Sequence, residues 1–389
     1  MDKVKFGLIG VGNMGTNHLG FFCGGKIKNA VCTAIADLSE SKLRAARAAH
    51  PGDYAVYRSG EELIDRAEVD AVLIAVPHYA HPPLAVRALR KGLHVVLEKP
   101  AGVYTKQVKE LNAVAEQSGR LFTLMYNQRT DPLYREMHRL VAAGEIGEVR
   151  RVNWIITNWF RTQFYYDSGA WRATWKGEGG GVLMNQCPHQ LDLMQWIVGM
   201  MPQRVRAFCH FGKWHAIETE DDVTAYLEFP NGATGVFVTS TGDSRGTNRF
   251  EILGSRGKLV CEKDTLTVYR LSSDLQQFLK EAREGFAEPA CSVEVIPQKG
   301  ENPQHVGILN NFTNAVLGLE PLYVDGREGI RCVELINAML LSSWQDTAVT
   351  LPVDDDAYLA ELEKHIRSSK EKRGEDLLID NTMSFGGTK

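Results

Sequence analysis

The sequence predicts an α/β protein that opens with a doubly wound parallel sheet and continues into a second domain of different character. Three observations carry this. The chain has 389 residues, and at roughly 150 residues per domain that suggests two large domains. Residues 3–126 alternate short apolar runs with helix-length amphipathic segments. From about residue 149 the spacing changes to a succession of strand-length runs.

In the first third, apolar runs fall at residues 4–9, 31–36, 55–57, 71–76, 95–97 and 121–126. Amphipathic stretches at 38–50, 61–66, 82–91 and 105–118 separate them. Parallel strands need crossover connections, and helices between buried apolar runs supply them. Further on, residues 149–157, 205–211, 222–229, 233–241, 249–254, 258–262 and 265–269 read as strands. Pro230-Asn231-Gly232 and Ser255-Arg256-Gly257 read as hairpin-type turns between pairs of them. Helical segments return at 306–317 and 327–345, and a charge-dense end follows, with a short surface helix at 357–366. The expected divisions are 1–128 for a nucleotide-binding domain, 129–353 for a substrate-binding and oligomerisation domain, and 354–389 for a charged helix and tail.

Composition excludes several classes. Apolar residues make up 44% and charged residues 24%, so the chain is neither disordered nor collagen-like. Lys and Arg number 44 against 48 Asp and Glu, a net charge of −4, which leaves no basic excess for a phosphate backbone; no nucleic-acid partner is expected. No window of 18 or more apolar residues suggests a membrane span, and residues 1–10 do not read as a signal peptide. The seven cysteines are odd in number and form no C-x-x-C pair, so the expectation is reduced structural thiols, no metal and a cytoplasmic location.

The first strand–helix junction reads Gly10-Val11-Gly12-Asn13-Met14-Gly15, a G-x-G-x-x-G turn. Gly10 permits the tight turn, Gly12 lets backbone approach a pyrophosphate, and Gly15 lets the helix pack close to the strand. The helix N-terminus, from Asn13 and Met14 onward, offers N–H groups and a positive dipole end to phosphates. Asp37 ends the second run, where a carboxylate accepts hydrogen bonds from ribose hydroxyls and repels a 2′-phosphate. The turn therefore predicts a Rossmann domain binding NAD rather than NADP.

Three further turns lie at carboxyl ends of strands: Ala75-Val76-Pro77-His78-Tyr79-Ala80-His81, Glu98-Lys99-Pro100 and Tyr126-Asn127-Gln128-Arg129. With the glycine-rich turn they resemble the Gfo/Idh/MocA oxidoreductases, relatives of glucose–fructose oxidoreductase and inositol dehydrogenase, over roughly residues 3–350. The resemblance implies a second domain built on a large, mainly antiparallel open sheet, an active site in the cleft, and homo-oligomers (dimers or tetramers) formed through that sheet. It implies NAD contacts from Val76, Pro77, His81, Glu98, Lys99 and Asn127 beside those of the glycine-rich turn. It also makes Lys99 the first candidate catalytic residue, an ammonium that can stabilise an alkoxide and, partly desolvated, act as acid or base.

The segment from Gly179 to Asp192 resembles the family's G-G-G-x-L-x-D-x-x-x-H-x-x-D pattern. His189 then becomes the general base or proton relay, against the plainer reading of a capping or core histidine. One position departs from the pattern: the family Asp is Asn185 here. An amide orients a hydroxyl but takes no proton. His189 working with Lys99, Asp192 supplying the charge, a substrate group read by Asn185, and loss of catalysis all stay open. Tyr126, Asn185, His189, Asp192 and the aromatic-rich stretch at 158–176, with Arg161, Trp171, Arg172 and Trp175, are candidate substrate contacts; a sugar platform and a subunit interface both suit such a stretch. The expected reaction interconverts a secondary alcohol and a ketone on a monosaccharide, sugar derivative or cyclitol by hydride transfer at nicotinamide C4. The alternatives are an NAD-retaining glycosidase working by transient oxidation and elimination, and a non-catalytic NAD-binding regulator.

Overall fold

The computed structural model describes residues 3–370, 372 and 377; the rest of the expected tail lies outside the described residues. Six strands, β1 (Val4–Ile9), β2 (Ala30–Ala36), β3 (Ala55–Tyr57), β4 (Ala71–Ile74), β5 (His94–Leu97) and β6 (Phe122–Leu124), form a parallel sheet in the order β3-β2-β1-β4-β5-β6. This is the doubly wound order. Its direction reverses between β1 and β4, and the strands' carboxyl ends open a crevice there. All four residues of β4 and all but one of β5 are buried, as two helix-covered faces require.

The second sheet has nine strands: β7 (Val149–Ile156), β8 (Arg204–Phe211), β9 (Glu220–Glu228), β10 (Thr234–Ser240), β11 (Asn248–Gly254), β12 (Gly257–Glu262), β13 (Thr265–Leu271), β14 (Cys291–Pro297) and β15 (Val349–Thr350). Their order is β14-β13-β12-β11-β7-β10-β9-β8-β15, and every pair is antiparallel except β7 with β10. The two expected hairpin turns join β9 to β10 and β11 to β12, with Gly232 at φ +82°. Side chains alternate: Val152, Trp154 and Ile156 of β7 are buried, as are Val223, Ala225 and Leu227 of β9.

Sequence reading missed the edge strands β14 and β15 and the helix Pro132–Ala142. Almost all of β14 is exposed, so no inward alternation marks it, and β15 is two residues long. The helix is fixed at its start by Asp131, whose side chain accepts from Leu133 N, with Pro132 in its first turn. All seven cysteines are free thiols, five of them buried. Among the described residues no helix is long and apolar enough to cross a membrane.

One long helix, Gly329–Trp344, joins the two sheets. Its Asn337 accepts from Thr105 N at 3.0 Å and donates to Val103 O at 3.0 Å, both beside the first sheet. One turn on, Ser342 Oγ accepts from Ala207 N of β8 at 2.9 Å. A second tie is ionic. Arg129, just past β6, donates from Nε and Nη2 to both oxygens of Asp192 at 2.7 and 2.6 Å, and from Nη1 to Glu328 at 2.6 Å. Burial pushes the Asp192 carboxyl up and the Arg129 charge opposes it. Removing one partner of a buried pair leaves a desolvated charge. Asp192→Ala is expected to lose about 3–5 kcal/mol of unfolding free energy in urea titrations, and the double variant Arg129→Met/Asp192→Leu clearly less.

Candidate active site

The crevice at the switch point is a cavity of about 630 Å³ running from the first β–α turn to the 158–176 loop. Gly10 sits at φ +88°, and a Cβ there would meet Ala75 O at 2.3 Å. A Cβ on Gly15 would lie 1.8 Å from Gly10 O, so helix Asn13–Cys23 packs this close only with glycine. Gly12 differs: a Cβ there would meet nothing within 4 Å, because it faces open cavity. The helix N-terminus with Asn13 and Met14 lines the same wall. Asp37, past β2, accepts from Val11 N at 2.9 Å and Ser39 N at 2.8 Å, which fixes its carboxylate at the cavity's far end. Bare backbone, a helix N-terminus and a tethered carboxylate in this order fit the phosphates and ribose of a dinucleotide.

At the other end, β5 delivers Glu98 and Lys99. Glu98 Oε1 accepts from His18 Nε2 at 2.7 Å. Burial pushes its carboxyl up, but the His18 hydrogen bond and neighbouring cations outweigh this and hold it at about 2. Lys99 Nζ donates to Asn185 O at 2.8 Å, which leaves two of its three hydrogens for the cavity. Burial pushes the Lys99 ammonium below its usual range, against Glu98 and Glu178, which pull it up. His189, in helix Pro188–Val198, is held well below the usual imidazole range by burial first and by the Lys99 charge second. Its Nδ1 is buried without a hydrogen-bond partner among the described residues. Asn127 Oδ1, Trp159 Nε1 and Gln186 Oε1, all on cavity-lining residues, are orphaned in the same way.

The structure brings together at this cavity Gly10, Gly12, Asn13, Met14, Asp37, Val76, Pro77, Glu98, Lys99, Asn127, Asn185 and His189, with Arg161, Trp171 and Arg172 on the opposite wall. Arg172 lies 4.7 Å from the Trp171 ring and 4.6 Å from the Tyr165 ring, and donates to Tyr165 Oη at 2.9 Å. Three expectations need correction. Asp192 does not line the cavity; its oxygens are taken by Arg129, and it is not among the charges felt by His189. Tyr126 stands behind His189, ring centroids 6.4 Å apart, rather than facing a substrate. Trp175 packs in an aromatic cluster with Phe211, Trp344 and His365 beneath the loop. His81 also lines the cavity; its ring nitrogens lie 2.8 Å from Pro100 O and 2.7 Å from Val76 O, and a neutral imidazole donates to one of the two.

Sequence reasoning missed His78 and Glu178. His78 lies on the turn after β4 and lines the cavity, and its ring meets that of Trp171 in the 158–176 loop at 5.8 Å. Glu178 sits just ahead of the glycine run, and nothing in its neighbours marks it.

The chain matches two family models. Residues 4–126 match the oxidoreductase family, NAD-binding Rossmann fold, and residues 134–260 the GFO/IDH/MocA C-terminal domain. Similar curated proteins include myo-inositol 2-dehydrogenase of Thermotoga maritima, 24% identical over 315 residues, 77% of this chain and 90% of that one. Another is a 1-carboxy-3-chloro-3,4-dihydroxycyclohexa-1,5-diene dehydrogenase of Comamonas testosteroni, 27% identical over 283 residues, 71% of this chain and 69% of that one. Among solved structures, the WlbA dehydrogenase of Bordetella pertussis in complex with NADH and UDP-GlcNAcA superposes with a TM-score of 0.75 at 25% identity, covering 90% of this chain and 100% of that one.

Because Gly12 has room for a side chain, Gly12→Val tests the cradle without disturbing the fold. Unfolding free energy is expected to stay within about 0.5 kcal/mol of the parent. Calorimetric titration is expected to show NAD affinity weakened about tenfold or more.

Proposed function

The chain belongs to the Gfo/Idh/MocA oxidoreductases, and from that premise we propose that it interconverts a secondary alcohol and a ketone on a monosaccharide, sugar derivative or cyclitol. The N-terminal domain is an NAD-binding Rossmann domain. When bound, NAD supplies hydride acceptance or donation at nicotinamide C4. The observation that carries the reading is the end of the cavity opposite Asp37. There a lysine ammonium with unused hydrogens and a buried imidazole with an orphaned nitrogen meet a wall of further orphaned donors and acceptors. Buried polar atoms without partners call for a ligand rich in hydroxyl groups.

In the oxidising direction His189, held neutral by burial and by Lys99, takes the hydroxyl proton. The Lys99 ammonium hydrogen-bonds the same oxygen and stabilises the charge that develops on it. Trp171 and Trp159 offer ring faces to the sugar's C–H bonds, and Arg172 and Gln186 meet its hydroxyls. Asp37 favours the free 2′-hydroxyl of NAD over the phosphate of NADP. Alternation leaves Ile155, Phe208 and Tyr226 exposed on the outer face of the nine-stranded sheet, which supports self-association through that face.

The test is a panel of cyclitols, aldoses, anhydrosugars, sugar acids and glycosides followed by NADH absorbance. Lys99→Ala is expected to lower kcat by about 10²- to 10⁴-fold on any hit. It also removes a positive charge that helps hold His189 down, so the acid limb of kcat/KM is expected to move to higher pH. Aglycone release from a glycoside with no net NADH would replace this reading with transient oxidation and elimination. Asp37→Ala is expected to weaken NAD by roughly 10- to 100-fold in direct binding while leaving NADP less affected.

A further inference from the structure

Asn185 stands where the family pattern has a carboxylate, and the structure sets a carboxylate directly behind it. Glu178 is buried. Its Oε1 accepts from Asn185 Nδ2, and its Oε2 accepts from Ala173 N at 2.5 Å. A carboxylate only accepts, so the amide must present its NH₂ to Glu178. The carbonyl branch, Oδ1, is then left for the cavity that Asn185 lines. The backbone carbonyl of the same residue accepts from Lys99 Nζ at 2.8 Å. One residue thus touches Glu178 through its side chain and Lys99 through its main chain.

We propose that Glu178 is a positioning residue that restores the missing carboxylate at one remove: it fixes Asn185 as a hydrogen-bond acceptor for a substrate hydroxyl and holds the charge of Lys99 through space. This rests on the reading of the cavity as a polyol-oxidising site. The arrangement keeps a negative charge near Lys99 without placing a second proton acceptor beside the substrate. The hydroxyl proton then has His189 as its acceptor, while Asn185 only aligns the oxygen. Burial pushes the Glu178 carboxyl up; the Arg172 charge, the Ala173 N–H, the Asn185 amide and the Lys99 charge pull it back. Lys99 also faces Glu98 at the end of its own strand, Arg172 from the 158–176 loop and Cys332 from helix Gly329–Trp344, and its charge reaches His78, His81, His189 and His305.

Two variants of the full chain separate charge from reach. Glu178→Gln keeps the shape and removes the charge; Glu178→Asp keeps the charge and shortens the arm. The first readout needs neither cofactor nor turnover. Lysines are reductively methylated with ¹³C-formaldehyde, the Lys99 signal is identified by its loss in Lys99→Arg, and its midpoint is followed by NMR. Glu178→Gln is expected to lower that midpoint by about one pH unit, and Glu178→Asp to leave it close to the parent. In steady state on a panel substrate, Glu178→Gln is expected to lower kcat about tenfold or more, and Glu178→Asp to act mainly by raising KM. An unmoved Lys99 midpoint in Glu178→Gln overturns the proposal. If that variant fails to fold, a folded Glu178→Asp with the parent's kcat and KM overturns it instead. A panel without turnover counts against the function reading alone, and the Lys99 titration still decides this one.

Discussion

Everything at the Lys99 end of the cavity depends on one buried cation. The Lys99 ammonium sits where desolvation disfavours charge, and its surroundings compensate with one backbone carbonyl and two carboxylates at different depths. Glu98 is committed to His18 and stays ionised; Glu178 is committed to Asn185 and Ala173. Neither carboxylate quenches the ammonium by a direct ion pair within 4 Å, so it keeps hydrogens for a ligand. The same charge keeps His189 and His78 neutral by repulsion added to burial.

The cavity that holds this cation exists because glycine makes two close approaches and leaves one open space. Gly10 and Gly15 let strand, turn and helix meet at distances that a Cβ would forbid, and Gly12 leaves space rather than contact. The nucleotide wall is therefore backbone and dipole, while the opposite wall is aromatic rings and guanidinium. The two walls face each other because helix Gly329–Trp344 and the Arg129–Asp192 pair lock the second sheet against the first. A shift of either tie would move Asn185 relative to Lys99, and their contact spans both halves of the fold.

Legibility in the sequence followed periodicity and local rules. The six apolar runs of the first third became the six parallel strands, because buried strands between helices leave uninterrupted apolar runs. Boundaries differ by one or two residues where a run continues past its last ladder hydrogen bond, as at residues 71–76 against Ala71–Ile74. The edge strand Cys291–Pro297 left no such trace, since neither of its faces is buried. Asp192 was open as a source of charge for His189, three residues before it, but nearness in sequence does not reveal that Arg129, far away in the chain, fills both its oxygens.

The sequence by itself determined the family, the glycine turn with the aspartate that follows the second strand, and the order of the sheets, because each is written in spacing between near neighbours. Only the tertiary structure decided which polar groups share the cavity. It buried Asp192 and Tyr126, turned Trp175 into an aromatic core and brought Glu178 to Asn185. Those outcomes are contacts between segments distant in sequence, and a side chain's chemistry is set by the partners and the burial it meets after the chain has closed on itself.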